Sequence, residues 1–290
     1  MSIYLELFGA SLAALAALAL VAPPVGAFLY ARGTALHGLA LPQAALAGIA
    51  VGALVDALGH GADGHHHHHG PSLGSDLAWA GVGTLVGLAA LGFRSRVGGS
   101  ESGRAAGVFC LASAAAVLLP SFAPTGALQL DARARGEILA IGTTDLALVL
   151  VASAVVAALL LRGWRSVLLV GQDPLAARVC GLSIARTNAL LNGCVAAITV
   201  VGTATAGPLA IFGLLVVPPL GCHAGAPSMA AFLRRSVAVG ALGAVLAVAM
   251  SFEADLPLGP CVIVGAAVAA LLARLVWRAP ERLSRSSPTR

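Results

Sequence analysis

The chain has 290 residues, of which 59% are hydrophobic and 10% charged, with a mean hydropathy of +0.94. Soluble domains carry about 25% charged residues, so this chain cannot cover a water-facing surface and is not a soluble enzyme. All 17 basic residues are Arg, which excludes the P-loop lysine of nucleotide hydrolysis, and their placement between apolar runs excludes a nucleic-acid surface despite the net charge of +5.

Apolar runs of spanning length fall at residues 8–30, 38–58, 77–93, 106–122, 138–161, 188–206, 208–222, 236–252 and 258–276. The expected fold is an all-α integral membrane bundle of about nine (eight or nine) transmembrane helices. It forms a single transmembrane domain over residues 1–280, with a short tail at 281–290. The first run lacks a basic N-terminal region and reads as a retained helix rather than a signal peptide. With nine spans, fifteen of the 17 Arg fall on one side, leaving only Arg133 and Arg135 on the other. The positive-inside rule then places the N-terminus outside and the C-terminus in the cytoplasm, in a multi-pass protein of the inner (plasma) membrane. Small residues at Gly48 and Gly52, and at Gly83 and Gly87, have the spacing that lets helices approach closely in lipid.

Between the second and third runs lies DALGHGADGHHHHHGPSLGSD, residues 56–76. Its His60, His65, His66, His67, His68 and His69, with Asp56 and Asp63, combine imidazole nitrogen and carboxylate oxygen, a donor set suited to zinc and related divalent ions. Asp56 and His60 are four apart and share a face if the helix continues that far. The charge argument puts this loop, residues 59–75, outside the cell. It makes a divalent metal plausible as a ligand without establishing that metal crosses.

Charges in or beside spans are few. Asp76 and Glu137 stand near helix starts, where carboxylates are favourable. Asp145 is expected about two turns inside the fifth run, the position of a pathway residue. His37 reads as a hydrogen-bonded structural residue. The adjacent Cys222 and His223 project in different directions and are a weak metal signal. The five Cys show no C-x-x-C spacing and read as small apolar residues. In the segment 171–186, Asp173 and Pro174 are suited to start a short helix and Gly181 to end it. Such a helix offers a soluble partner a docking surface.

Four segments, in order, resemble the permease subunits of zinc/manganese-type ABC importers. The first is GLALPQAALAGIAVG, residues 38–52. The second is Gly136-Glu137-Ile138-Leu139, with Asp145 following. The third is DPLAARVCGL, residues 173–182. The fourth begins at residue 201 and includes LLVVP at 214–218 and DLPLGPCVIV at 255–264. The first segment departs from the family: Leu39 and Gln43 stand where it has an Asp and a His four apart, and neither is a good zinc ligand.

The resemblance implies a permease working by alternating access, with Leu39, Gln43, Glu137 and Asp145 along the pathway and Asp173, Pro174, Ala177 and Gly181 coupling it to an ATPase. It implies three partners: a cytoplasmic ATP-binding subunit dimer, an extracytoplasmic metal-binding protein and a second permease copy. The transported ion would be Zn2+ or Mn2+, with no covalently bound cofactor and no covalent chemistry in this chain. Two alternatives stay open. One is an ABC permease for a non-metal or metal-chelate cargo; the other is a stand-alone transporter or membrane metal sensor.

Overall fold

The computed structural model describes residues 2–59, 73–92, 100–122, 142–223 and 226–285, and every element among them is helical. In chain order they are α1 (Ser2–Ala31), α2 (His37–Gly59), α3 (Leu73–Gly92), α4 (Glu101–Leu118) running into a 3-10 turn (Leu119–Phe122), α5 (Thr143–Gln172), α6 (Pro174–Val179), α7 (Ile184–Ala206), α8 (Pro208–Cys222), α9 (Met229–Ala254) and α10 (Leu258–Arg285). Eight of the described helices are long and apolar enough to cross a membrane. The run expected at 208–222 is the short one, α8.

A helix of 15 residues is about 22 Å long, short of the ~30 Å hydrocarbon layer. It is tolerated because α8 is an interior helix, packed by α1, α2, α7, α9 and α10. Ala210, Ile211, Leu214, Leu215 and Cys222 are fully or almost fully buried. A backbone enclosed by protein does not have to match the bilayer. Gly207, at φ +81°, makes the turn between α7 and α8, and Pro208 opens α8 where its missing N–H costs nothing.

In lipid, helices gain from close packing rather than from escaping water. The α2–α3 contact shows it: Gly52 faces Trp79, Gly48 faces Gly83, and Ala44 faces Gly87, which makes the pair antiparallel. The expected small-residue spacing therefore falls on a helix interface.

Among the described residues, Arg32, Arg235 and Arg274 lie toward one end of the bundle. Arg32, after α1, donates from Nη2 to Asn188 Oδ1 of α7 at 2.7 Å. Arg235 of α9 lies over the Trp277 ring of α10 at 4.4 Å. Arg274 of α10 donates to the carbonyls of Gly221 (3.0 Å) and Leu220 (2.9 Å), supplying donors and positive charge at the end of α8.

The fifth helix begins at Thr143, not at residue 138. Asp145 is therefore in its first turn rather than two turns inside, and its Oδ2 accepts the Gly142 N–H at 3.2 Å. A carboxylate at that position stabilises the helix start. Asp76 also lies in a first turn, that of α3, and is 7% exposed.

Candidate functional site

Two places carry the features expected of a transport pathway and its drive. The first is α2. Leu39, Gln43 and Ala47 are half-buried and Val51 is exposed, whereas Leu41, Ala45 and Ile49 on other faces are buried. The spacing of four puts Leu39, Gln43, Ala47 and Val51 on one stripe. That stripe holds one polar side chain, an amide, and neither carboxylate nor imidazole. Asp56, at the far end of α2, is exposed. Among the described residues no group of three or more His, Cys, Asp or Glu is placed to hold a metal ion. His60, Asp63, His65 to His69 and Glu137 lie outside the described residues.

The second place is α6. Asp173 is its N-cap, with Oδ1 accepting from Leu175 N (3.0 Å) and Ala176 N (2.9 Å), and Pro174 fills the first turn. At the other end Gly181 takes φ +75°, with Leu182 N bonded to Ala177 O and Gly181 N to Arg178 O, both at 2.9 Å. This is a Schellman ending, in which glycine supplies the left-handed residue and both bonds satisfy terminal carbonyls. A six-residue helix is too short to persist on propensity alone; its two caps and the burial of Ala177, 0% exposed, fix it in place. Its outer side presents Leu175, 74% exposed, and Val179, 90% exposed, one turn apart.

Beside α6 is a charged cluster that sequence reading missed. His37, first residue of α2, has Nε2 3.3 Å from Glu101 Oε1, first residue of α4. Arg32 and Arg104 lie close enough to act on His37 electrostatically, and Glu101 is the carboxylate among them. Burial pulls the Arg32 guanidinium below its ordinary pKa, and Glu101 opposes this. Arg32 and Asn188 are 156 residues apart, a pairing that no local pattern announces. The hydrogen bond expected of His37 is not made at Nε2, which is buried and meets Glu101 only as a neighbouring carboxylate. His223 places Nδ1 3.1 Å from Leu220 O and meets the Tyr30 ring at 4.7 Å, tilted by 40°, while Cys222 is buried, so the two do not form a ligand pair.

The arrangement is a helical bundle with a short, doubly capped helix at its Arg-rich end. The sequence model of the ABC 3 transport family matches residues 4–277, almost the whole bundle. The chain belongs to the ABC 3 transport family. Like other membrane components of that family it is a multi-pass permease of the plasma membrane, and its family match leaves ATP hydrolysis to a separate subunit. It is similar to the manganese transport system membrane protein MntC of Listeria monocytogenes, at 22% identity over 257 residues, which are 88% of this chain and 85% of the relative. The protein of the same name from Listeria innocua matches equally. Among solved structures, the fold resembles PsaBC from Streptococcus pneumoniae, seen in complex with a Fab. That match has a TM-score of 0.76 at 20% identity and covers 94% of this chain and 93% of that one. It also resembles an inward-facing metal-chelate type ABC transporter, with a TM-score of 0.69 at 17% identity, covering 95% and 88%.

Proposed function

We propose that this ABC 3 family chain is the permease subunit of an ATP-driven importer of a divalent metal ion, zinc or manganese, working by alternating access. The family match over residues 4–277 carries the reading, and the manganese-transport relatives support the cargo. Two copies of the chain form the membrane core, residues 1–280 of each forming one domain. The N-terminus lies outside and the tail at 281–290 in the cytoplasm. A binding protein delivers metal at the outer face, where His60, Asp63 and His65 to His69, with Asp56 at the end of α2, gather it. A dimeric ATPase docks at the Arg-rich end against α6. There the exposed Leu175 and Val179 offer an apolar knob, Asp173 and Gly181 hold its shape, and Ala177 seats it. Nucleotide-driven displacement of α6 re-packs the bundle and opens the α2 stripe first to one side and then to the other.

The α2 stripe favours a second reading. Leu39 and Gln43 give a bare ion no anionic ligand, and an amide is a poor partner for zinc. A pathway with such a lining suits a cargo that carries its own ligands, a metal chelate. Glu137 and Asp145 remain the acidic candidates on the bare-ion reading, although Asp145 already serves the start of α5.

The experiment is uptake into vesicles reconstituted with the partner ATPase and binding protein, comparing zinc with manganese. ATP-dependent accumulation of either free ion supports the metal importer. ATPase stimulation without accumulation of either ion overturns it and selects the chelate reading.

A further inference from the structure

We propose that Arg32 is a positioning residue, a latch joining the α1–α2 turn to both flanks of α6 so that displacement of α6 is carried to the pathway helix α2. The proposal rests on the permease reading and names the side chain through which its drive reaches its pathway.

Arg32 touches the chain on either side of α6. Before α6, its aliphatic stem lies along Gly171: a Cβ added there would stand 2.6 Å from Arg32 Cγ and 3.3 Å from Cδ. Beyond α6, its Nη2 donates to Asn188 Oδ1 at 2.7 Å. Gly171 is two residues before the N-cap Asp173, and Asn188 is in the second turn of α7, which follows the Gly181 ending directly. One side chain therefore bridges the segments entering and leaving the coupling helix.

The turn that carries Arg32 is built to transmit rather than absorb movement. Gly33 N bonds to Tyr30 O (3.0 Å) and Thr34 N to Leu29 O (2.9 Å), with Thr34 Oγ1 on the same carbonyl at 3.2 Å. His37 N bonds to Thr34 O, and Gly38 N to Ala35 O, both at 3.0 Å. Main-chain bonds thus hold the turn on both sides of Thr34, which donates back to α1 and accepts from the start of α2. Four residues beyond Leu39, on the same helix, is Gln43. Glu101 meets the turn from the α4 side, on His37, and faces Arg32 electrostatically. The turn is thus gripped by α4, α5 and α7 together. A partly buried guanidinium is costly to desolvate, and its bonds specify one arrangement of the segments they join.

The test uses the assembled complex in proteoliposomes, with ions accumulated per ATP hydrolysed as the readout. Basal ATPase activity and complex assembly check folding. Arg32→Ala and Asn188→Ala are each expected to lower ions per ATP about ten-fold, the scale of losing a charge-assisted hydrogen bond. The double variant should fall no further than Arg32→Ala alone, because the Asn188 acceptor acts only through Arg32. Arg32→Lys, which keeps the charge and loses the planar fork, should recover only part of the coupling. If Arg32→Ala fails to assemble, Asn188→Ala, which removes only the acceptor, decides. Unchanged ions per ATP in Asn188→Ala, or effects that multiply in the double variant, overturn the latch alone. Absence of ATP-driven uptake in the unmodified complex overturns the permease reading and the latch with it.

Discussion

Gly83 of α3 lies directly against Gly48 of α2: a Cβ on Gly48 would stand 3.0 Å from Gly83 Cα, and one on Gly83 would stand 2.9 Å from Gly48 Cα. The same Cβ atoms would also run into the Trp79 and Ala44 carbonyls. No rotamer relieves a clash with backbone, so the helices must separate, and over-packing of this kind costs about 1–3 kcal/mol or more. Gly48→Val is expected to lower the unfolding temperature in detergent and the amount of protein in the membrane. Gly81→Val is the control on the same helix pair, because a Cβ there meets nothing within 4 Å. Equal thermal stability of the two variants would show that the glycine contact does not hold α2 on α3.

Ala177 and Gly181 serve the same short helix in different ways. Ala177 is enclosed, and a Leu there needs space that is not available. Gly181 sits at φ +75°, where an L-residue costs about 1–2 kcal/mol. Ala177→Leu and Gly181→Val should each displace α6 while leaving the spans folded, because the bundle's main contacts lie elsewhere. Cargo-stimulated ATPase activity of the complex is the measurement. Loss of stimulation with normal membrane abundance is the expected outcome, and full stimulation in both variants would refute the coupling role of α6.

What could be read in the sequence was what local chemistry decides. The capping of α6 by Asp173 and Pro174 at one end and Gly181 at the other depends on residues within a turn of the end each caps, and the structure has all three in the expected roles. The apolar runs located the helices, but hydropathy marks where lipid is, not where a helix ends. Thus α5 continues past Arg162 to Gln172, α9 begins at Met229 rather than 236, and α10 reaches Arg285. The start of α5 was misplaced because residues 138–141 are as apolar as the helix that follows them. The links of Arg32 to Asn188, His37 to Glu101 and Arg274 to Gly221 join segments distant in sequence, and no periodicity encodes them. The α2 stripe was legible only as a departure from a family pattern, since Leu39 and Gln43 have no chemistry of their own to announce a site.

Cys180 reports the orientation of the chain without any engineering. It caps α6 at the Arg-rich end and is exposed, whereas Cys194, Cys222 and Cys261 are buried. The other exposed thiol, Cys110, is in the middle of a span, on α4, where a charged reagent does not reach. A membrane-impermeant maleimide should therefore label inside-out vesicles and leave right-side-out vesicles unlabelled, with Cys180→Ser abolishing the signal. Labelling of right-side-out vesicles would reverse the assigned topology, and with it the face at which an ATPase docks. Adding the partner ATPase should slow the labelling, because Cys180 adjoins the exposed Val179 on the proposed docking side.

The His-rich tract separates a collector from a pathway. If His65 to His69 gather metal at the outer face, deleting them should raise the free zinc concentration needed for half-maximal uptake and leave the maximal rate unchanged. A pathway role would instead lower the maximal rate. Imidazole binds metal only when neutral, and in model peptides it half-titrates near pH ~6.5. The advantage of the full-length chain over the deletion should therefore be present at pH ~7.5 and vanish at pH ~5.5, where protons outcompete zinc for the ring nitrogens. Uptake measured at limiting zinc at both pH values checks this directly. A deletion variant that matches the full-length chain at limiting zinc and pH ~7.5 would remove the tract from the transport cycle and leave the α2 stripe to account for cargo choice.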